Sequence, residues 1–327
     1  MISIIILNWN GWEDTIECLK SIDESVGVEW TAVIADNGSF NDSVERITEF
    51  LRTRKFGRSL VIREGEALED KLNNKDVLLY CLNENYGFAK GNNLGIKLLA
   101  GQNVDFYWIL NNDTVIEKES MKILQSFMEE YPYYLACTPQ IRYFSPSNRI
   151  WNCGGKLFFG LRKYYYEGQE NVVFKKNHFD ISFVTGCALF IKPELLDENG
   201  GLFTERFFFG EEDFELSLRM KEKRMRMACC TKSIIYHKVN ASIKKKPKLS
   251  GIYIHYLNRY INVRQHFSAT KFLIWRVLNN INLRRQILNN NYSPSAAKRF
   301  IEELNKECYI YDGVSKDMFE TKRMEIE

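Results

Sequence analysis

The sequence predicts an α/β fold, with a mainly parallel sheet between flanking helices. Short apolar runs alternate with segments of helical spacing over the first 130 residues. Those runs carry apolar residues on both faces, as strands of a doubly covered parallel sheet do. Four of them end in Asn- or Asp-containing turns, at Asn8, Asp36, Asn83 and Asn111. In a parallel sheet such ends share one edge, where open α/β sheets bind their ligands.

Residues 2–7 form the first β-branched strand, and the turn from Asn8 to Gly11 leads into Trp12, Ile16, Leu19 and Ile22 at helical spacing. Residues 31–35 form a second strand, and Val44, Ile47, Phe50 and Leu51 mark the next helix. Residues 52–75 are charged and irregular, a surface excursion. Residues 77–82 give the third strand. A helix with Gly91 and Gly95 leads to the fourth at 105–110, and Met121, Leu124, Phe127 and Met128 mark the helix beyond.

From about residue 134, aromatic, glycine-punctuated stretches predict short strands and hairpins. Residues 179–191 read as a strand broken at Gly186, and Pro193 opens a short helix. Glu211, Glu212 and Asp213 open a helix through Lys223; residues 225–229 and 233–237 read as two strands. After residue 244 the pattern is helical. Tyr253, Tyr256, Leu257, Tyr260 and Ile261 make one stripe, Phe272, Ile274, Trp275 and Leu278 enrich the next helix, and residues 294–308 give a final one.

Composition places the 327-residue chain among ordinary globular proteins, with enough length for a large core. No apolar run is long enough for a membrane span, and the apolar start at residues 1–7 lacks the flanks of a signal peptide. Eight scattered cysteines without a Cys-x-x-Cys pair argue against zinc and for reduced thiols in a cytosol. Neither GxGxxG after the first strand nor a P-loop is present. The net charge of +3 hides an asymmetry: residues 223–300 hold 17 Lys or Arg and no Asp or Glu. Such a block suggests an anionic partner.

Three places could carry chemistry. Asn111, Asn112 and Asp113 end a buried strand, where Asp113 could hold a hard divalent cation completed by a diphosphate; the run could equally cap the next helix, with Glu117 three residues after Thr114. Glu211, Glu212 and Asp213 suit a helix N-terminus through its dipole, and an ionised carboxylate there could accept a proton from a substrate hydroxyl. His237 alone reads as a satisfied histidine; beside Asp113 it becomes a second ligand, favouring Mn²⁺ over Mg²⁺.

An ordered set of motifs spans residues 2–242: residues 4–11, 35–39, 85–93 and 110–113, Thr185-Gly186, Glu212-Asp213 and His237. It resembles the inverting family 2 glycosyltransferases of GT-A fold, most of all the rhamnosyltransferase-type branch that builds bacterial surface polysaccharides. The resemblance implies a catalytic domain over residues 1–243, with a nucleotide-binding half to 115 and an acceptor-binding half from 116, followed by a helical extension over 244–327. It implies that Asp36 hydrogen-bonds the pyrimidine of a UDP- or dTDP-sugar, that Asn8 and Trp9 line the base pocket, and that Gly87, Phe88, Asn92 and Asn93 lie along ribose and diphosphate. Asn111, Asn112 and Asp113 match the DxD motif, with Asn111 as an uncharged departure. Asp213 would be the general base with Glu212 beside it, Thr185 and Gly186 would face the sugar, and Asp113 and His237 would hold Mn²⁺ or Mg²⁺.

The basic extension has two readings: a helical appendix packed on the catalytic domain, or an interfacial helix on an anionic membrane, which would suit a lipid-linked saccharide acceptor and a place on the inner face of the cell membrane. Its stripe could instead bury against a second copy. A nucleic-acid binder using the basic aromatic region is the competing function class, and charge confined to the last third of the chain disfavours it.

Overall fold

A computed structural model gives the fold, describing residues 1–239 and 249–325. In chain order the elements are β1 (Ile2–Asn8), α1 (Trp12–Asp23), β2 (Trp30–Asp36), α2 (Ser43–Thr53), β3 (Ser59–Arg63), β4 (Val77–Cys81), α3 (Gly87–Leu98), β5 (Phe106–Asn111), β6 (Thr114–Ile116), α4 (Ser120–Glu130), β7 (Tyr134–Tyr143) and β8 (Ile150–Asn152). The rest are β9 (Gly155–Phe158), β10 (Leu161–Tyr164), β11 (His178–Ile181), β12 (Ala188–Ile191), α5 (Glu212–Glu222), β13 (Arg226–His237), α6 (Leu249–His266), α7 (Ala269–Asn289), α8 (Pro294–Ile310) and α9 (Lys316–Glu325).

The main sheet runs β11-β13-β7-β12-β5-β1-β2-β4-β3, with β6 on β13 and β8 on β7. From β5 to β3 every pairing is parallel, in register Asn8↔Asp36, Leu7↔Asn111 and Asp36↔Cys81, so the four polar strand ends do share one edge. Strand β12 is antiparallel to both neighbours and joins this half to the β7–β13 half.

Alternation along β1 explains the layers. Ile2, Ile4 and Ile6 meet Leu19 and Ile22 of α1, Ile47 of α2 and Leu124 of α4 on one face. Ile5, with Val33 and Leu78, meets Ala89 and Ile96 of α3 and Leu216 and Met220 of α5 on the other. Gly91 and Gly95 let α3 lie close to β1; a Cβ would come within 2.6 Å of Leu7 and 2.9 Å of Ile5 respectively.

Several sequence expectations change. Residues 52–75 contain the edge strand β3, whose alternating exposure hid it. The stretch 179–191 splits at Gly186 into β11 and β12, at separate positions in the sheet. The two strands expected at 225–237 are one, β13, with a register shift after Cys230. Helix α9 lies beyond what read as the last helix. The Lys244, Lys245 and Lys246 run lies outside the described residues.

The stripe Tyr253, Leu257, Tyr260 and Ile261 is buried with Phe207, Phe214 and Leu218 of the α5 region, so α6 packs against α5. Phe272 and Trp275 are buried too, whereas Ile274 and Leu278 face outward.

Candidate active site

The turn after β5 is tied to the turn after β1. The Asn112 amide nitrogen donates to the Gly11 carbonyl (3.2 Å) and the Thr15 hydroxyl (3.1 Å) and so braces the edge. Asn8 is fully buried. Its Nδ2 donates to Asp36 (2.6 Å) and its Oδ1 accepts from Thr15 (2.8 Å). The Asp36 carboxylate also accepts from the Ser39 hydroxyl (2.7 Å) and N–H (3.1 Å) and is 1% exposed. Asn8 and Asp36 therefore build the floor of the donor edge and do not line its open surface.

The surface that is open there is a cleft of about 350 Å³ lined by Leu7, Trp9, Asn37, Asn85, Gly87 and Phe88 on one side and Phe208, Phe209, Phe319 and Glu320 on the other. Trp9 is half-exposed and meets Phe40 edge to face at 6.2 Å. Phe319, from α9, packs on Phe208 and Phe209 with ring centroids 5.2 and 6.2 Å away. Gly87 serves this seam. At φ +80° its Cβ position lies 1.9 Å from the Phe208 carbonyl oxygen, which also accepts from the Phe88 N–H (3.1 Å). Asn93 is committed elsewhere: its Oδ1 accepts from the N–H groups of Leu202 and Phe203 and its Nδ2 donates to the Phe203 carbonyl and Glu205. Asn92 Nδ2 donates to the Phe88 carbonyl, but its buried Oδ1 has no partner.

Asp113 and His237 are 124 positions apart, and strand pairing joins them. Asp113 precedes β6, His237 ends β13, and the register sets Thr114 opposite His237. The Lys238 N–H donates to the Asp113 carbonyl (2.9 Å), while its ammonium pairs with Asp14 and Glu17 of α1. Asp113 Oδ1 lies 3.1 Å from His237 Nε2, without the alignment of a hydrogen bond. The imidazole is held edge to face by Trp151 at 4.5 Å, and its Nδ1 is buried without a partner. Burial disfavours an imidazolium, but the Cys187 sulfur and the Asp113 carboxylate outweigh it and raise the pKa. A carboxylate and an imidazole converging without bonding each other are what two ligands of one cation look like. Their chemistry fits Mn²⁺ or Mg²⁺ with the remaining positions left to substrate oxygens. No group of three or more His, Cys, Asp or Glu side chains able to hold an ion occurs among the described residues, so protein atoms alone do not complete a metal site. Asn111 ends β5 with its main chain bonded to the Cys187 carbonyl and the Thr114 hydroxyl.

The start of α5 holds the second group of carboxylates. Glu211 is left-handed at φ +70° and its carboxylate is 1% exposed. Arg259 of α6 grips it with two 2.9 Å bonds, Arg162 of β10 reaches it at 2.9 Å and His255 Nδ1 at 3.1 Å. Burial opposes the charge, but Arg259, His255 and Arg162 prevail and hold the pKa down at about 2. Asn262 donates to the Glu211 carbonyl and Asn258 to those of Phe209 and Gly210. The strained turn is thus locked from α6.

Asp213 comes next, 22% exposed, with Arg162 at 3.8 Å and the Gly186 N–H donating to its carboxylate. Burial, with repulsion from Glu211 outweighed in part by Arg162, leaves its pKa raised. Glu212 is pushed up to about 8 by burial and by Asp213, and its Oε2 is buried without a partner. Thr185, nearly buried, accepts from the Cys187 N–H, and a Cβ on Gly186 would sit 3.0 Å from the Phe88 ring. Phe88, Gly186 and Asp213 therefore form one wall, from the donor cleft to the acid pair.

Comparison with known proteins fixes the family. The model for glycosyl transferase family 2 matches residues 3–196, over half of the chain. The chain belongs to that family. This glycosyltransferase shares the GT-A fold of solved relatives at low identity. A mannosyltransferase from Pyrobaculum calidifontis, solved with GDP-Man and Mn²⁺, matches at 13% identity and a TM-score of 0.58, over 99% of this chain and 83% of that one. GalNAc-T7, solved with UDP, GalNAc and Mn²⁺, matches at 13% and 0.58, over 100% of this chain and 56% of that one. S. aureus TarS 1-349 matches at 15% and 0.47, over 93% and 70%. No curated protein sequence matches.

Arg162, His255, Arg259 and Phe319 were not legible as site residues. Arg259 and His255 look like part of a basic helix. The lack of any acid across 223–300 was the available signal that a buried acid elsewhere needs them. Nothing in the local sequence marks Arg162.

Proposed function

We propose that this glycosyltransferase moves a sugar from a UDP- or dTDP-sugar, dTDP-rhamnose foremost, to a saccharide acceptor held on a lipid, with inversion, in cell-surface polysaccharide synthesis. The observation that carries the reading is that one short segment meets both devices: Cys187 lies beside the His237 imidazole of the Asp113–His237 pair, and the Gly186 N–H bonds the Asp213 carboxylate, which Arg162 also approaches. Asp113 and His237 would hold Mn²⁺ or Mg²⁺, which would neutralise the charge growing on the departing diphosphate. Asp213, with its raised pKa, accepts the proton of the attacking hydroxyl as the new glycosidic bond forms. One transfer with the base opposite the leaving group inverts the anomeric centre, as in inverting glycoside hydrolysis. Trp9, Phe88 and the Phe208–Phe319 wall would hold nucleoside and sugar, on a floor fixed by Asn8 and Asp36.

The acid-free basic stretch supports work at an anionic membrane surface, on the cytoplasmic inner face. No helix among the described residues is long and apolar enough to cross a membrane, so the contact would be peripheral.

Thermal stabilisation by UDP, dTDP, GDP and ADP, each with and without Mn²⁺, tests the donor side. A shift led by UDP or dTDP that needs Mn²⁺ and disappears in Asp113→Ala is expected. A GDP-led shift would reassign the donor, and an undiminished shift in Asp113→Ala would remove the metal role.

A further inference from the structure

Two apolar elements face outward on the acceptor side. On α7, Leu273, Ile274, Val277, Leu278 and Ile281 recur on one helical face, each about half-exposed. On the β9–β10 hairpin, Phe158 and Leu161 stand directly opposite each other beside the turn, and Phe158 is 71% exposed. The elements are mortised together. A Cβ on the turn residue Gly160 would lie 2.6 Å from Trp275 of α7, and Phe159 packs on Phe267 at 5.9 Å.

Cations surround both. Lys156 and Lys163 are cross-strand partners on the hairpin, both exposed, an arrangement that costs stability unless an anion lies between or above them. Lys221 bonds to the Leu157 carbonyl and feels both Lys156 and Lys271. Exposed Arg284 and Arg285 continue along α7. On α8, Glu302 lies 3.8 Å from Lys298, along the groove that α8 forms with Ile281 and Arg284.

We propose that the hairpin tip and the outward face of α7 form one docking surface for an anionic lipid bilayer. The aliphatic side chains would enter the headgroup boundary and the lysines and arginines would meet lipid phosphates. Charge decides the occupant. A second copy meeting this face symmetrically would set Lys271, Arg284 and Arg285 against their own equivalents, with no acid from residues 223–300 to separate them. The hairpin also gives the surface a catalytic address, because Arg162, next to Leu161, reaches Glu211 and lies 3.8 Å from Asp213. A membrane-held acceptor would arrive beside the base. This deepens the lipid-linked-acceptor reading and rests on it.

The test is co-sedimentation of the whole chain with phosphatidylcholine vesicles, with and without phosphatidylglycerol, for wild type, Ile274→Asp/Leu278→Asp and Phe158→Asp. Mn²⁺-dependent nucleotide binding and melting temperature are followed in parallel. Wild type is expected to bind only the anionic vesicles, less so in high salt, and both variants to lose about tenfold or more while nucleotide binding and melting temperature hold. Absence of wild-type binding, or equal binding by the variants, overturns the surface and leaves the transferase reading standing. A wild-type dimer that the same substitutions dissociate gives the face to a second copy and also overturns it. Nucleotide binding that fails while vesicle binding survives faults the donor reading alone.

Discussion

The polar sheet edge and the acid turn are built by different means. At the edge, Asn8, Asp36 and Asn111 each end a parallel strand, and register alone lines them up. The acid turn has no such rail. Glu211 is left-handed and buried, and its three cationic or imidazole partners come from β10 and α6, far away in sequence. A floor made by a sheet is inherited from the fold, whereas the turn must be held by charges that cost free energy to bury and that stabilise only as a set.

Removing the base while leaving its clamp separates the two regions most cleanly. Asp213→Asn should lower transfer by roughly 10²–10⁴-fold and leave Mn²⁺-dependent nucleotide binding intact, as measured by initial rates beside thermal shift. A variant that loses donor binding as well would show that the two sides are not separable. A second substitution strikes the clamp itself. Arg259→Ala strands a buried carboxylate and should cost about 3–5 kcal/mol in denaturant unfolding, against about 1–3 kcal/mol for the amide–carboxylate pair Asn8–Asp36 broken by Asn8→Ala. Equal losses would mean that floor and turn are held alike.

A milder change concerns Glu212. Its folded pKa is about 8 against an ordinary 4.5, so the folded state keeps a proton that the unfolded chain releases. Its contribution to stability is therefore complete below pH 4.5 and is lost as pH rises towards 8. Glu212→Gln, which mimics the protonated form, should flatten the fall in melting temperature across that window. An unchanged slope would mean that Glu212 ionises normally.

The same contrast explains what could be read in advance. Periodicity and strand-end chemistry exposed the parallel half and its polar edge, because those signals are local. The motif resemblance put Asn8, Asn93 and Asn112 on the ligand side, and in the folded chain all three amides bond within the protein. An amide looks the same in sequence whether it serves a substrate or a backbone carbonyl. The edge strand β3 was missed because it is half-exposed, and Phe319 because its role depends on where the last helix lands. The tail stripe at 272–278 mixed two faces that only packing separates: Phe272 and Trp275 inward, Ile274 and Leu278 outward.

The seam at Gly87 leaves no slack between two loops. The loop after β4 and the loop that leads to the acid turn meet there with no room for a single methyl group. The Phe88 N–H holds the Phe208 carbonyl, a Cβ on Gly186 would sit 3.0 Å from the Phe88 ring, and the Gly186 N–H bonds Asp213. Three contacts in series therefore tie the cleft wall to the Asp213 carboxylate, and a substitution that shifts Phe88 is felt at Asp213 without touching it.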